Sequence, residues 1–289
     1  MSDRTAGAKA CLLALAVLPW VLAGTAQARD GRLLATGGAS TVEGSSGGGI
    51  VPWATLAGYG ERGQSGGTAF LTRVEARDYA LDAFGAAYAW NNRFELSLAR
   101  QRLDIGSLGL PWRALEQDIL GAKLRLAGDL VYGDLPQVSL GLQYKRNRDF
   151  TLPGAVGARD RDDLEPYLVA SRLFLAGAGG RHLLLNLGVR GTRANQLGLL
   201  GFGGDRRDRR EWVLEGSAAV MVNPRWAVGL EYRQKPDNLG FASEHDWWDA
   251  FVGWFPNKRV AVVAAWADLG DIAGQPGQRA AYLSLQWSH

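Results

Sequence analysis

Cysteine is almost absent: the 289 residues contain one, Cys11, beside two methionines and three histidines. One thiol can close no intrachain disulfide and build no multi-cysteine metal site. His182, His245 and His289 lie far apart, and no HExxH, GxSxG or paired metal-ligand spacing occurs. Beyond residue 28 no apolar run approaches the length of a spanning helix. An excess of one charge is lacking too: 32 Lys and Arg stand against 29 Asp and Glu, a formal net charge of +3. The isoelectric point is about 9.1, but both signs interleave and no basic stripe appears, so no nucleic-acid partner is expected.

Residues 1–28 read as a cleaved secretory signal. Arg4 and Lys9 form a basic start, Cys11 to Ala23 is apolar, and Ala26-Gln27-Ala28 is a small-x-small cleavage site. An uncleaved anchor is the rival reading, but Pro19 breaks the apolar run, which falls short of the roughly 20 residues a spanning helix needs. The mature part, residues 29–289, is then expected to be one domain without a lipoprotein cysteine. Its charge falls to +2, because Asp3, Arg4 and Lys9 leave with the signal.

What is abundant is glycine, 39 residues, and tryptophan, 11, spread among short alternating segments. This favours an all-β chain. Asp246 to Leu269 shows the unit. Trp248, Ala250, Val252 and Trp254 share one face of its first arm, Val260, Val262, Ala264 and Trp266 form an apolar row on the second, and Pro256-Asn257-Lys258 joins them. Each arm has the ~9 to 11 residues of a tilted membrane strand, with tryptophans near both ends. From Phe94 onward short and long connections alternate, and the long ones carry charge runs such as Arg159 to Asp163 and Asp205 to Arg210. Outer-membrane barrels have that asymmetry, with short turns in the periplasm and long loops outside.

The expected fold is one closed antiparallel transmembrane β-barrel. Thirteen strand candidates run from Ile50 onward, and adding Gly31 to Val42 gives fourteen, an even number that returns both ends to the periplasm. Twelve is the alternative, if two early segments form a plug or are merged. The run Gly44 to Gly49 lacks the Lys-Ser/Thr and the helix of a phosphate loop, so it reads as a turn.

Sorting by parity puts Leu183, Leu185, Leu187 and Val189, and likewise Trp226, Val228, Leu230 and Tyr232, toward lipid. Lys or Arg at the lipid midplane costs about 2–4 kcal/mol. Lys123, Arg125, Lys145, Arg172, Arg190, Glu215, Glu231, Arg233, Lys235 and Asp249 are therefore expected to line the lumen, either pairing with one another in a plugged barrel or lining a weakly anion-preferring channel. Trp226, Trp248, Trp254 and Trp266 are the expected aromatic girdle, Trp248 external and Trp254 periplasmic. Trp247 and Phe251 fall on the inward face and favour a partly filled lumen.

The stretches LLATGGASTVEGSSGGGIVPWA (33–54), QDILGAKLRL (117–126), QYKRNRDF (143–150), ANQLGLLGFGGDR (194–206), EYRQKPDNL (231–239) and WFPNKRVAV (254–262) together resemble a proteobacterial family classed as a domain of unknown function and expected to be outer-membrane barrels. The resemblance covers nearly all of residues 29–289 and implies a fold without an activity. Barrel chains of this kind usually end on an aromatic residue, whereas this one ends Trp287-Ser288-His289. Within it, Gly203, Gly204, Asp205 and Arg206 of GFGGDR and Pro236, Asp237 and Asn238 of RQKPDN are loop candidates, functional or simply turn-forming.

Function is therefore expected to be a passive pore or uptake channel for small solutes with a weak anion preference. The first alternative is a plugged structural barrel presenting external loops to a partner. An envelope lipid hydrolase using Ser243 and His245 is the second, and poorer because no third group is apparent. No enzyme activity, metal or cofactor is expected. The partners foreseen are membrane lipid, lipopolysaccharide, the outer-membrane insertion machinery and small solutes, with the site in the outer membrane of a Gram-negative bacterium.

Overall fold

Strict alternation, with branched or aromatic residues on every second position, makes a ribbon that is stable only when its edges are paired. In lipid, where no water satisfies an open edge, the ribbon must close. The computed structural model, which describes residues 34–289, shows that closure. Residues 1–33, which include the expected signal segment, lie outside the described residues.

A two-residue pairing, β1 (Ala39–Ser40) with β2 (Ser46–Gly47), belongs to the amino-terminal segment. The barrel is built from β3 (Ser65–Ala76), β4 (Ala80–Trp90), β5 (Phe94–Asp104), β6 (Ala114–Ala127), β7 (Gln137–Asn147), β8 (Asp162–Ala178), β9 (Arg181–Thr192), β10 (Glu211–Asn223), β11 (Trp226–Arg233), β12 (Trp247–Trp254), β13 (Val260–Asp268) and β14 (Arg279–Ser288). Each pairs antiparallel with the next, and β14 closes on β3 with Leu285 opposite Leu71. The barrel thus has 12 strands, the smaller of the two counts the sequence allows. Two of the strand candidates, Gly31 to Val42 in its described part, residues 34–42, and the segment from Ile50, are not in the wall. Every residue from Ala35 to Gly58 is buried, and together they form a plug.

Outside, Leu98, Leu142, Leu187, Leu230 and Leu283 stand exposed where lipid belongs. At one rim the Trp226 and Trp254 rings stack, centroids 6.0 Å apart. At the other, Trp248 and Trp266 meet edge to face at 5.1 Å. Alanine at Trp226 and Trp254, singly and together, should show a coupling of about 0.5–1.5 kcal/mol in urea unfolding from bilayers. Strict additivity would remove the stack from the account.

The connections 91–93, 179–180, 224–225 and 255–259 are short and lie at the Trp254 rim, the periplasmic one by the asymmetry of such barrels. Two connections break the rhythm. The external turn 77–79 is tight, and on the periplasmic side β6 stops at Ala127, which leaves the longer connection 128–136 before β7. Gly128 there has φ +72°, and the Asp129 carboxylate accepts the amides of Val131 at 2.9 Å and Tyr132 at 3.0 Å. This turn tucks Leu130 under the lumen, where its carbonyl accepts the Leu173 amide at 2.7 Å.

That buried floor explains one correction. Leu173 packs into the core, so Arg172, its neighbour on β8, has the outward parity and not the lumen position expected. It reaches instead to the carbonyls of Gly133 and Leu135.

Candidate functional site

A chain segment inside a barrel has no neighbouring strand to satisfy most of its amides and carbonyls, so wall side chains must do it. Gln137 and Ser139 both donate to the Ala54 carbonyl at 2.6 Å, and the Ala54 amide donates to Ser171 at 2.8 Å. Gln101 donates to the Val42 carbonyl at 2.8 Å and Asn186 to that of Pro52 at 3.1 Å. Lys123 donates to the carbonyls of Ser46 and Thr55, each at 2.9 Å, and its partner Glu95, at 3.4 Å, accepts the amides of Ser46 and Ala57. Glu231 accepts those of Gly49 at 2.6 Å and Ile50 at 2.8 Å.

The glycines of 44–49 now have a role. A Cβ at Gly48 would run into the Glu231 carboxylate, and one at Gly44, whose φ is +94°, would press on the Ala99 side chain at 2.9 Å. Side chains there would hold the plug off the wall. The apolar part of the seat is formed by Val42, Ile50 and Val51 of the plug against Phe70, Val74 and Leu81 of the wall.

At the centre is one carboxylate from the plug. Glu43 pairs with Lys145, with Arg233 at 2.8 Å and with Arg190 at 3.6 Å. The wall continues the network. Lys145 also meets Glu165 at 2.6 Å, Arg190 meets Glu165 at 3.3 Å and Glu215 at 2.6 Å, and Arg233 meets Glu215 at 3.1 Å. Arg190 further lies over the Tyr167 ring, 4.8 Å from its centroid. Of the expected lumen residues, Lys145, Arg190, Glu215 and Arg233 thus meet in one cluster, Lys123 forms a second contact, and Glu231 and Asp249 sit side by side on β11 and β12. Arg125 is at the floor, paired with Asp129 at 3.1 Å. Sequence reasoning missed Glu43 and Glu165. Glu165 was within reach, since it shares its face with Tyr167, Val169 and Ser171; Glu43 has no strand parity to betray it.

A second closure comes from outside. Residues 194–204 fold into the external mouth, where the Leu197 carbonyl accepts from Lys145 at 3.3 Å and from Gln117 at 3.2 Å, and that of Gly198 accepts from Asn147 at 2.7 Å. The two loop blocks meet here. The Asn238 carbonyl accepts the amides of Arg206 and Arg207 at 3.1 and 3.2 Å, Asp237 pairs with Arg206, Asp205 accepts the Gly240 amide at 2.7 Å, and the Asn238 side chain donates to Asn195 at 3.0 Å. Gly204 presses so close to the Asn238 carbonyl that a Cβ would not fit, Gly203 takes φ +60°, and Pro236 is buried behind them. Lys235 joins the cap rather than the lumen wall, paired with Glu244 at 2.8 Å. Burial raises the Glu244 carboxyl against the pull of Lys235, and lowers Lys235 against the pull of Glu244.

No group of three or more His, Cys, Asp or Glu is placed to hold a metal among the described residues. His245 is exposed and lies 3.8 Å from Asp271, and no hydrogen bond joins it to Ser243 among the described residues.

Residues 36–286 match the family model described as a protein of unknown function, DUF3034. The chain belongs to that family. No curated protein matches the sequence. Among solved structures, the KdgM porin superposes with a TM-score of 0.50 at 11% identity, over 77% of this chain and 99% of that one. The KdgM porin in complex with disordered oligogalacturonate gives 0.50 at 12% identity, over 77% and 99%. The NanC porin gives 0.48 at 10% identity, over 76% and 98%. At 11–12% identity the likeness to the KdgM porin shows the fold alone, that of an outer-membrane barrel. Within that fold this DUF3034 chain carries an internal plug, residues 35–58.

Proposed function

We propose that this protein is an outer-membrane channel for small solutes whose closed state is maintained by residues 35–58. The observation that carries the reading is the nature of the seat. The plug touches the ionic side of the wall through side-chain hydrogen bonds and ion pairs to its backbone and to Glu43, and it shares no strand ladder with the barrel. Such contacts can be exchanged for water without breaking any barrel pairing. The KdgM porin shares the barrel and supports a channel reading for it.

The charge preference needs revision. With Glu43 withdrawn, the buried wall carries Lys123, Lys145, Arg190 and Arg233 against Glu95, Glu165, Glu215, Glu231 and Asp249. Carboxylates are not outnumbered, so an open lumen should discriminate little between small anions and cations rather than favour anions.

Planar-bilayer recording tests the reading. The intact chain should be silent or show rare brief openings, while a chain lacking both residues 35–58 and the mouth-filling residues 194–204 should conduct steadily. A folded barrel without either closure that stays silent would remove the channel and leave a structural barrel. That second reading has its own support in the interlocked external loops 193–210 and 234–246.

A further inference from the structure

Ten buried residues of the lumen are charged: the carboxylates Glu43, Glu95, Glu165, Glu215, Glu231 and Asp249, and the cations Lys123, Lys145, Arg190 and Arg233. Each of the first four carboxylates has an ion-pair partner. Glu231 and Asp249 have none among the described residues, and the nearest guanidinium on their face, Arg233, is engaged by Glu43 and Glu215. The two are direct cross-strand partners, which brings their side chains within about 5 Å at the Cβ. Two adjacent buried carboxylates need a compensating positive charge.

The register supplies more oxygen. Ser217 on β10 stands opposite Glu231, so Ser217, Glu231 and Asp249 form one row across three strands. In that row the Ser217 hydroxyl, Glu231 Oε1 and Asp249 Oδ1 are all buried without a hydrogen-bond partner among the described residues. Next along the row is Ala267, whose small side chain leaves space. Two further buried groups without hydrogen-bond partners among the described residues, the Tyr282 hydroxyl and Trp247 Nε1, belong to residues that line the same small cavity as Asp249. The cavity measures about 40 Å³ and its remaining lining is largely apolar, from Val42, Ile50 and Val74 among others. A water needs ~10–15 Å³ by this measure, so the cavity, which borders Asp249 but not Glu231 or Ser217, has room for about two or three waters beside the carboxylate row and none for an organic solute.

We propose that Glu231 and Asp249, with the Ser217 and Tyr282 hydroxyls, form a calcium site at the seat of the plug. The carboxylate pair matches a divalent charge, all candidate ligands are hard oxygens, and calcium tolerates irregular geometry completed by water. The Trp247 N–H is a donor only and cannot ligate; it would donate to a metal-held water. Glu231 Oε2 meanwhile holds the amides of Gly49 and Ile50, so the ion also fixes the carboxylate that seats this part of the plug. The site does not depend on the channel reading, because a permanently plugged barrel would have the same charge to balance.

Terbium is the probe, applied to the refolded full chain in detergent after chelation. Tryptophan-sensitised emission should rise to saturation, be displaced by calcium, and persist at matched ionic strength in sodium. Asp249→Asn and Glu231→Gln should each weaken terbium binding by about tenfold or more, because ligand charge sets affinity. Glu75→Gln, at an exposed acid beside Arg73, should change nothing. Absence of saturable emission, equal displacement by sodium, or emission unchanged in both lumen variants would overturn the proposal. A response to pH with none to calcium would overturn it too and assign the compensating charge to a shared proton. Should the variants not fold, the wild-type thermal midpoint decides: no rise when calcium is returned after chelation sinks the site.

Discussion

Glu43→Gln should unseat the plug while leaving the barrel intact. The substitution keeps the size of the side chain and removes one negative charge from a cluster in which Glu43, Glu165 and Glu215 face Lys145, Arg190 and Arg233. Three carboxylates then become two against three cations, all of them buried. Breaking a buried pair by removing one partner costs about 3–5 kcal/mol, because the remaining charge has no water to turn to. The loss falls on seating rather than on the wall, since no strand pairing includes residue 43. Protease should therefore cut within residues 35–58 of a folded, heat-modifiable barrel, and bilayer recordings should show openings rare in the wild type. A variant as protease-resistant and as silent as the wild type would mean that the ion cluster does not hold the plug.

Mild acid should not mimic that variant. Burial alone would push the Glu43 carboxyl up, but Arg233, Lys145 and Arg190 outweigh it and hold it below the ordinary carboxylate range. A carboxylate held low in the folded state contributes stability above its unfolded pKa and loses it only as pH falls through the lower, folded value. At about pH 5 Glu43 therefore remains ionised and the seat remains, whereas Glu43→Gln acts at every pH.

What could be read from the sequence divides along physical lines. Rows such as Leu183, Leu185 and Leu187 alternate because one side meets lipid, and they predict the barrel, its outward face and both tryptophan bands. The plug shows no such alternation, since residues 35–58 are buried on all sides. Ile50 to Tyr59 could therefore pass for a strand. The same limit hid Glu43, whose role depends on three wall residues more than a hundred positions away. Arg172 failed for the opposite reason. A rule that turns every charge inward puts Arg172 in the lumen, but near the rim its guanidinium reaches turn carbonyls while Leu173 takes the core. The loop blocks around Asp205 and Asn238 were visible as loops, yet their mutual contact is a tertiary fact that no spacing encodes.

Arg190→Met is expected to be the most damaging single change in the wall, and to act on the barrel rather than on the plug alone. Arg190 on β9 joins Gln143 of β7 at 2.6 Å, Glu165 of β8, Glu215 of β10 and Glu43 of the plug. Methionine fills much of the same volume but leaves three carboxylates facing Lys145 and Arg233, and strands the Gln143 carbonyl oxygen without its donor. The uncompensated charge costs about 3–5 kcal/mol, and the orphaned acceptor adds about 1–3 kcal/mol. Urea unfolding from bilayers should shift to a clearly lower midpoint with an unchanged slope, because the surface exposed on unfolding is the same. The two variants should also couple. Once Arg190 is gone, Glu43→Gln removes a carboxylate already short of a partner, so the double variant should lose less than the sum of the singles. A midpoint for Arg190→Met equal to the wild type would show that water reaches the cluster and screens it, and strictly additive losses would show that Arg190 and Glu43 stabilise the protein independently.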